Sequence, residues 1–334
     1  MRVFAVLGAG SWGTALALVL ARNGHTVRLW GHDPERLRRL AKTRVNQRYL
    51  PNFPLPDAIQ PEPDLERAIS NADAVLLAIP SAAFAGLTAQ LGSLLPASMP
   101  VVWATKGLEA AGGGLLHARA ERELPGHPLA VLSGPSFAGE VAAGLPTAVA
   151  LASTRRDCAD QLADAFHDAR FRVYTSDDIV GVELGGAVKN VLAIATGIAD
   201  GLGFGANARA GLITRGLAEV RRLGERLGAR DATLTGLAGM GDLILTCTDD
   251  QSRNRRMGLA LGRGESIDAA AISIGQVVEG VRTAGELSLL AARLEVEMPI
   301  CSAVQEVVEG RWTPLAAAEA LMQRAPRTEF AAPR

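Results

Sequence analysis

Lysine is the scarcest charged residue here: of 34 basic residues in a 334-residue chain, only Lys42, Lys106 and Lys189 are lysine. Arginine keeps its charge at any working pH, whereas a desolvated lysine can give up and regain a proton, so attention falls on Lys106 and Lys189. Cysteine is equally rare. Cys158, Cys247 and Cys301 stand far apart, with no Cys-x-x-Cys pair and no Cys/His cluster at zinc spacing. That excludes a disulfide scaffold and points to a reducing compartment, with no metal expected. A net charge of −1 leaves no chain-wide field for nucleic acid or an anionic membrane, so any bound anion needs a local site. No uninterrupted apolar run reaches the ~18–20 residues of a bilayer span, so a cytoplasmic, soluble chain without membrane insertion is expected. Arg2 and the apolar run after it imitate a secretory signal, but Gly8, Gly10, Ser11, Trp12 and Gly13 interrupt that run where a strand should turn into a helix.

What is present describes a globular enzyme of two parts, since the length suffices for two separate cores. In the first half, short apolar runs alternate with amphipathic stretches. Strands are expected at Val3–Leu7, Val27–Trp30, Ala74–Ile79, Val101–Ala104, Leu129–Leu132, Ala148–Leu151 and Phe171–Tyr174. Helices are expected at Ser11–Asn23, Glu35–Lys42, Ala82–Leu95, Leu115–Glu123 and Arg156–Asp168. The early strands are apolar throughout, as in a parallel sheet covered on both faces, and the alternation predicts a doubly wound α/β domain of Rossmann type. Pro51, Pro54, Pro56, Pro61 and Pro63 interrupt the pattern and read as an excursion around that domain. Beyond Asp177 only helical spacing remains. The expected division is a dinucleotide-binding domain over 1–180 and an all-α substrate domain over 181–334, with the tail from Thr328 to Arg334 frayed.

The first strand runs into Gly8-Ala9-Gly10-Ser11-Trp12-Gly13, a G-x-G-x-x-G that opens a helix. Gly8 permits the tight turn, Gly10 lets the backbone approach a pyrophosphate, and Gly13 allows close helix–strand packing, so a dinucleotide is expected. Its ribose end is ambiguous. Asp33, 20 residues past Gly13, suits the ribose hydroxyls of NAD, or equally the N-cap of the helix that Pro34 opens. His32 with Arg36 or Arg48 suits the 2′-phosphate of NADP instead.

Two further loops end parallel strands, where open α/β sheets hold ligands. Thr105-Lys106-Gly107 offers a cation over bare backbone or a solvated loop lysine, and Ser133-Gly134-Pro135-Ser136 offers a second turn. Lys189 lies in a small-residue, apolar helix with no carboxylate four residues away, and is expected to be buried or to face a cleft. Burial disfavours the ammonium and brings a lysine towards proton transfer. Gly236-Leu237-Ala238-Gly239-Met240-Gly241-Asp242 is too rich in glycine for a plain helix and reads as a bend presenting Asp242. Ser252, Arg253 and Asn254 at a helix start make either a phosphate pocket or a capped, solvated, Arg-rich helix.

The blocks GAGSWGTALA, WGHDPE, ATKGLE, LSGPSFAGEV, GGAVKNVLAIATGIADGLGFGANARAGLITRG, GLAGMGDLILTCTDDQSRNRRMG and QVVEGVRT follow in this order. Together they resemble bacterial NAD(P)-dependent glycerol-3-phosphate dehydrogenases over roughly residues 3 to 310. The resemblance implies interconversion of dihydroxyacetone phosphate and sn-glycerol 3-phosphate, supplying glycerophospholipid synthesis. It implies cofactor contacts from Ser11, Trp12, His32, Ala138, Arg253, Val277 and Glu279, with Lys106 touching both cofactor and substrate. Substrate contacts would come from Gly134, Ser136, Asp242, Ser252, Arg253 and Asn254, and Lys189 would be the proton donor and acceptor. A cation there would meet the oxygen charge that develops as hydride reaches C2, with Lys106 adding positive field and Asp242 orienting Lys189. The rival expectation is a β-hydroxyacid dehydrogenase of the same plan, and a more distant one is a non-catalytic NAD(P) sensor. The Ala-rich helical half supplies either a homodimer face or only a core.

Overall fold

The apolar runs of the first half assemble into one eight-stranded sheet. The computed structural model describes residues 1–110, 112–325 and 328, so the expected frayed tail lies, apart from Thr328, outside the described residues. The chain divides into one unit of Met1–Lys106 and Leu116–Glu183, and another of Gly107–Leu115 and Leu184–Arg334.

The strands of the first unit are β1 (Val3–Leu7), β2 (Thr26–Trp30), β3 (Val45–Asn46), β4 (Leu50–Pro54), β5 (Ile59–Pro61), β6 (Ala74–Leu77), β7 (Val101–Trp103), β8 (Leu129–Ser133), β9 (Thr147–Ser153) and β10 (Phe171–Ser176). The sheet order is β10-β9-β8-β7-β6-β1-β2-β5, with β3 and β4 pairing apart as a small antiparallel hairpin. From β5 to β8 the strands are parallel, and their order across the sheet is the 3-2-1-4-5-6 of a doubly wound nucleotide fold. The chain reverses its direction of winding at β1, which places the glycine-rich turn at the switch point. Its helices are α1 (Ser11–Arg22), α2 (Pro34–Thr43), α3 (Leu65–Ile69), α4 (Ser81–Leu94), α5 (Leu116–Glu123), α6 (Ala138–Ala143) and α7 (Arg156–Phe166). Phe4, Val6, Leu16, Leu20, Leu29 and Phe166 form the core between β1, β2, α1 and α7.

Three features of this unit differ from the sequence expectation. β9 pairs antiparallel with β8, and β10 follows it, so the sheet is not parallel throughout. The segment between β8 and β9 holds only the six-residue α6, and β9 runs back from the end of the sheet at which β8 finishes. The proline-rich excursion contributes the edge strand β5, where proline is tolerated because one side makes no ladder bonds. The short helices α3 and α6 were not anticipated.

The second unit is helical: α8 (Ile179–Gly201, whose first residues belong to the first unit), α9 (Gly205–Leu227), α10 (Asp231–Leu234), a π-helical turn (Leu237–Gly241), α11 (Asp242–Thr248), α12 (Arg253–Gly262), α13 (Ile267–Ile274), α14 (Glu279–Arg293), α15 (Pro299–Val308) and α16 (Pro314–Met322). By length and composition α8 could cross a membrane (mean hydropathy 1.4), but its apolar window is 94% buried, as in a core helix. Glycines let α12 lie directly on it. A Cβ on Gly197 would stand 2.2 Å from the Arg255 carbonyl oxygen, and one on Gly258 2.1 Å from that of Ile194. Gly201 and Gly262 repeat the contact one turn on. Gly258→Ala is therefore expected to lower stability by about 1–3 kcal/mol despite alanine's better helix propensity, because the clash is with backbone that cannot rotate away. Thermal denaturation checks this, and an unchanged midpoint would mean the two helices separate freely.

Glu286 on α14 is buried, and neither carboxylate oxygen makes a hydrogen bond; Arg282 Nε lies 3.3 Å from Oε1 in a poorly aligned ion pair. Burial, reinforced by the Glu279 charge against the pull of Arg282, raises its pKa from 4.5 to about 7. Between those values the folded chain holds a proton that the unfolded chain has lost, so this group's contribution to stability falls as pH rises. Glu286→Gln should flatten that part of the stability profile; an unaltered slope would assign the titration to another group.

Candidate active site

In the first unit the glycine-rich turn has the geometry a pyrophosphate requires. Gly8 has φ +131°, and a Cβ there would stand 2.2 Å from the Ala78 carbonyl oxygen. A Cβ on Gly13 would stand 1.9 Å from the Gly8 carbonyl oxygen, while Gly10 opens onto free space. Gly10 is the N-cap of α1 and no side chain caps that end, which leaves first-turn N–H groups for an anion. These residues fit a dinucleotide. Ser11 Oγ donates to the Tyr49 carbonyl at 2.8 Å, and Trp12 Nε1 is buried without a hydrogen bond. His32 is exposed. Asp33 takes the capping role: its Oδ1 accepts the Arg36 N–H at 3.0 Å. That hydrogen bond is the main reason its carboxyl titrates below the ordinary value.

Lys106, Gly134 and Ser136 come together although they follow different strands. The Gly134 carbonyl accepts from Lys106 Nζ at 3.1 Å and from Ser136 Oγ at 2.9 Å. Gly134 has φ +147°, and a Cβ there would meet Val149 Cα at 2.9 Å, so the turn admits only glycine. Ala138 begins α6.

In the second unit Lys189 sits midway along α8 and is 8% exposed. Its Nζ donates to Asp242 Oδ1 at 2.5 Å and to Thr246 Oγ1 at 3.0 Å. Asp242 is 0% exposed and follows the π-helical turn directly. The expected bend is thus a π turn, a form that recurs at functional sites because it swings one residue out of α-helical register. It packs on α8 through another glycine, Gly185, whose Cβ would stand 2.4 Å from the Ala238 carbonyl oxygen. The next residue of α8 extends the site. Asn190 Oδ1 accepts from Asn254 Nδ2 at 2.9 Å, and Asn254 Oδ1 accepts the Gly280 N–H at 2.9 Å. Ser252 caps α12 by accepting the Arg255 N–H at 3.2 Å, and Arg253 donates to the Val277 carbonyl at 2.9 Å. Arg255 is buried and ties α12 to Asp200 at 2.6 Å and Asp250 at 2.9 Å. Val277 is exposed, and Glu279 opens α14 within 3.6 Å of Arg282.

This arrangement can hold a proton on a buried cation and deliver it to an oxygen, beside a helix N-terminus that carries an arginine. Thr246 and Asn190 were not singled out in the sequence. Thr246 lies one helical turn past Asp242, a spacing that signals it; nothing local marks Asn190. Cys247 also lies in α11, but burial pushes its thiol up to about 12, so it is no nucleophile at neutral pH.

Two family models match almost end to end. One, described as the NAD-dependent glycerol-3-phosphate dehydrogenase N-terminus, covers residues 3–159; its C-terminal counterpart covers residues 178–319. The chain is 61% identical over 324 residues to a glycerol-3-phosphate dehydrogenase (NAD(P)+) of Alkalilimnicola ehrlichii, covering 97% of each chain. It is 58% identical to the Halorhodospira halophila protein of the same name, covering 98% of each. A crystal structure of glycerol-3-phosphate dehydrogenase from Coxiella burnetii superposes with a TM-score of 0.94 at 48% identity, covering 97% of this chain and 99% of that one.

Proposed function

The chain belongs to the NAD-dependent glycerol-3-phosphate dehydrogenase family, and on that premise we propose how its residues share the work. It interconverts dihydroxyacetone phosphate and sn-glycerol 3-phosphate with NAD or NADP, and its product supplies glycerophospholipid synthesis. Gly8, Gly10, Ser11, Trp12 and Gly13 hold the dinucleotide, His32 and Asp33 face its ribose end, and Ala138, Val277 and Glu279 add contacts. Residues 1–180 serve as the dinucleotide domain and 181–334 as the substrate domain.

The nicotinamide, when bound, supplies the hydride for C2 of dihydroxyacetone phosphate. Lys189 meets the C2 oxygen as negative charge develops there and gives it a proton. Asp242 and Thr246 aim the ammonium, and Asp242 compensates its burial. Ser252, Arg253 and Asn254 take the phosphate at the start of α12, and so fix C2 at a set distance from Lys189. Lys106, steadied by the Gly134 carbonyl beside Ser136, adds positive field and a second hold on substrate. The observation that carries this reading is the buried Lys189–Asp242 pair, linked along α8 through Asn190 to Asn254.

The proposal places the enzyme in the cytoplasm, without membrane insertion or a nucleic-acid partner, and as a homodimer that light scattering would register. Its test is a substrate panel read by cofactor absorbance. Dihydroxyacetone phosphate should oxidise NADH or NADPH, while 3-hydroxyisobutyrate and 6-phosphogluconate should reduce neither oxidised cofactor. The opposite pattern would move the chain to the β-hydroxyacid dehydrogenases.

A further inference from the structure

We propose that a cavity at the opposite end of the sheet from Lys106 and Gly134 is a second ligand site, which takes a small hydroxycarboxylate through His117 and His127. Every residue in it belongs to the first unit, and none is among those assigned above to cofactor or substrate. The cavity holds about 290 Å³ and has Leu129, the first residue of β8, in its wall. Gly134 follows the other end of that five-residue strand, which sets the two places roughly 15 Å apart.

Two histidines line this cavity, and each is fixed through Nδ1. His117, on α5, is held by the buried carboxylate of Glu183. Glu183 Oε2 accepts from His117 Nδ1 at 2.6 Å and from the His117 backbone N–H at 3.3 Å, while Oε1 accepts the Trp103 indole N–H at 2.9 Å. His127 Nδ1 donates to the Met99 carbonyl at 3.0 Å. A carboxylate and a carbonyl can only accept, so the proton of each ring sits on Nδ1 and Nε2 is left for the cavity. The two rings then differ in charge. Burial works against an imidazolium at His117, but the hydrogen bond and charge of Glu183, aided by Glu121, outweigh it and raise the pKa. His117 thus offers Nε2–H as a charged donor, and a neutral His127 offers Nε2 as an acceptor.

A ligand that satisfies both carries an anionic oxygen and a hydroxyl. The rest of the wall sets its charge and shape. Glu121 lies exposed at the cavity, and its charge opposes a dianion, so a single carboxylate suits the site better than a phosphate. Thr154 adds a hydroxyl for the second carboxylate oxygen, and the buried Leu129 and Ile179 give an apolar surface for a short hydrocarbon frame.

The test uses lactate as the probe and follows the Cε1–H resonances of the five histidines by NMR. Saturable shifts confined to His117 and His127, at about 1–10 mM as suits a ligand of so few atoms, support the site. Propanoate lacks the hydroxyl and lactamide lacks the charge, and each should bind at least about tenfold more weakly than lactate. His117→Gln should abolish the shift at His127. That change also takes a donor from Glu183 and can unsettle the fold, so an exposed position supplies the second variant. Glu121→Gln removes the opposing charge and should tighten lactate by about two- to fivefold. Phosphate binding as tightly as lactate, propanoate or lactamide binding equally well, an affinity that Glu121→Gln leaves unmoved, or no saturable shift at His117 and His127 would each overturn the proposal.

Discussion

Lys189→Ala is expected to lower turnover by about 10²–10⁴-fold, the usual contribution of a positioned general acid, while leaving affinity for the dinucleotide close to that of the parent. No other residue of the second unit brings a lysine to this place, and an arginine would not serve, because it does not release its proton in the working range. The effect should fall on the rate of a saturated enzyme, since the ammonium matters most when charge has built up on the substrate oxygen. Steady-state rates and a separate cofactor titration distinguish the two quantities. Turnover near that of the parent would remove Lys189 from the mechanism.

Asp242→Ala should be nearly as damaging for a different reason. It removes the carboxylate that compensates the buried Lys189 ammonium, which also donates to Thr246 Oγ1 at 3.0 Å, and breaking a buried ion pair costs about 3–5 kcal/mol. The variant should melt earlier and lose turnover together. Because stability and catalysis then fall in step, the pair needs a cycle to separate them. Replacing both members, as Lys189→Met with Asp242→Leu, removes the uncompensated charge and should recover most of the lost stability without recovering turnover. A double variant that melts as early as Asp242→Ala would show that packing, rather than charge, is what Asp242 provides.

Much of this site was legible in the sequence where the physics is local. The steric demands on Gly8, Gly10 and Gly13 follow from one strand–turn–helix, and the structure has two positions without room for a Cβ and one open. The burial of Lys189 followed from the apolar helix around it. Its partner came only through the family resemblance, because Asp242 lies 53 residues away and the packing of the π turn on Gly185 brings it close. Glycine at 236, 239 and 241 argued against a plain helix, and a wider helical turn spans this stretch and presses against α8. The reversal at β9 was hidden because its apolar run reads alike in either direction. Asp33 and Ser252 were ambiguous between capping and ligand binding, and both are caps here, which leaves their remaining lone pairs for a ligand.

The central claim is that the ammonium of Lys189 gives the proton to the C2 oxygen. Chemical rescue of Lys189→Ala tests it most directly: turnover of dihydroxyacetone phosphate is followed as small primary amines are added to the folded variant. The account predicts that turnover returns with amine concentration, ordered by amine acidity and limited by amine size. A variant that binds both cofactor and substrate, yet gains nothing from any amine small enough to enter the space the side chain vacates, would contradict it.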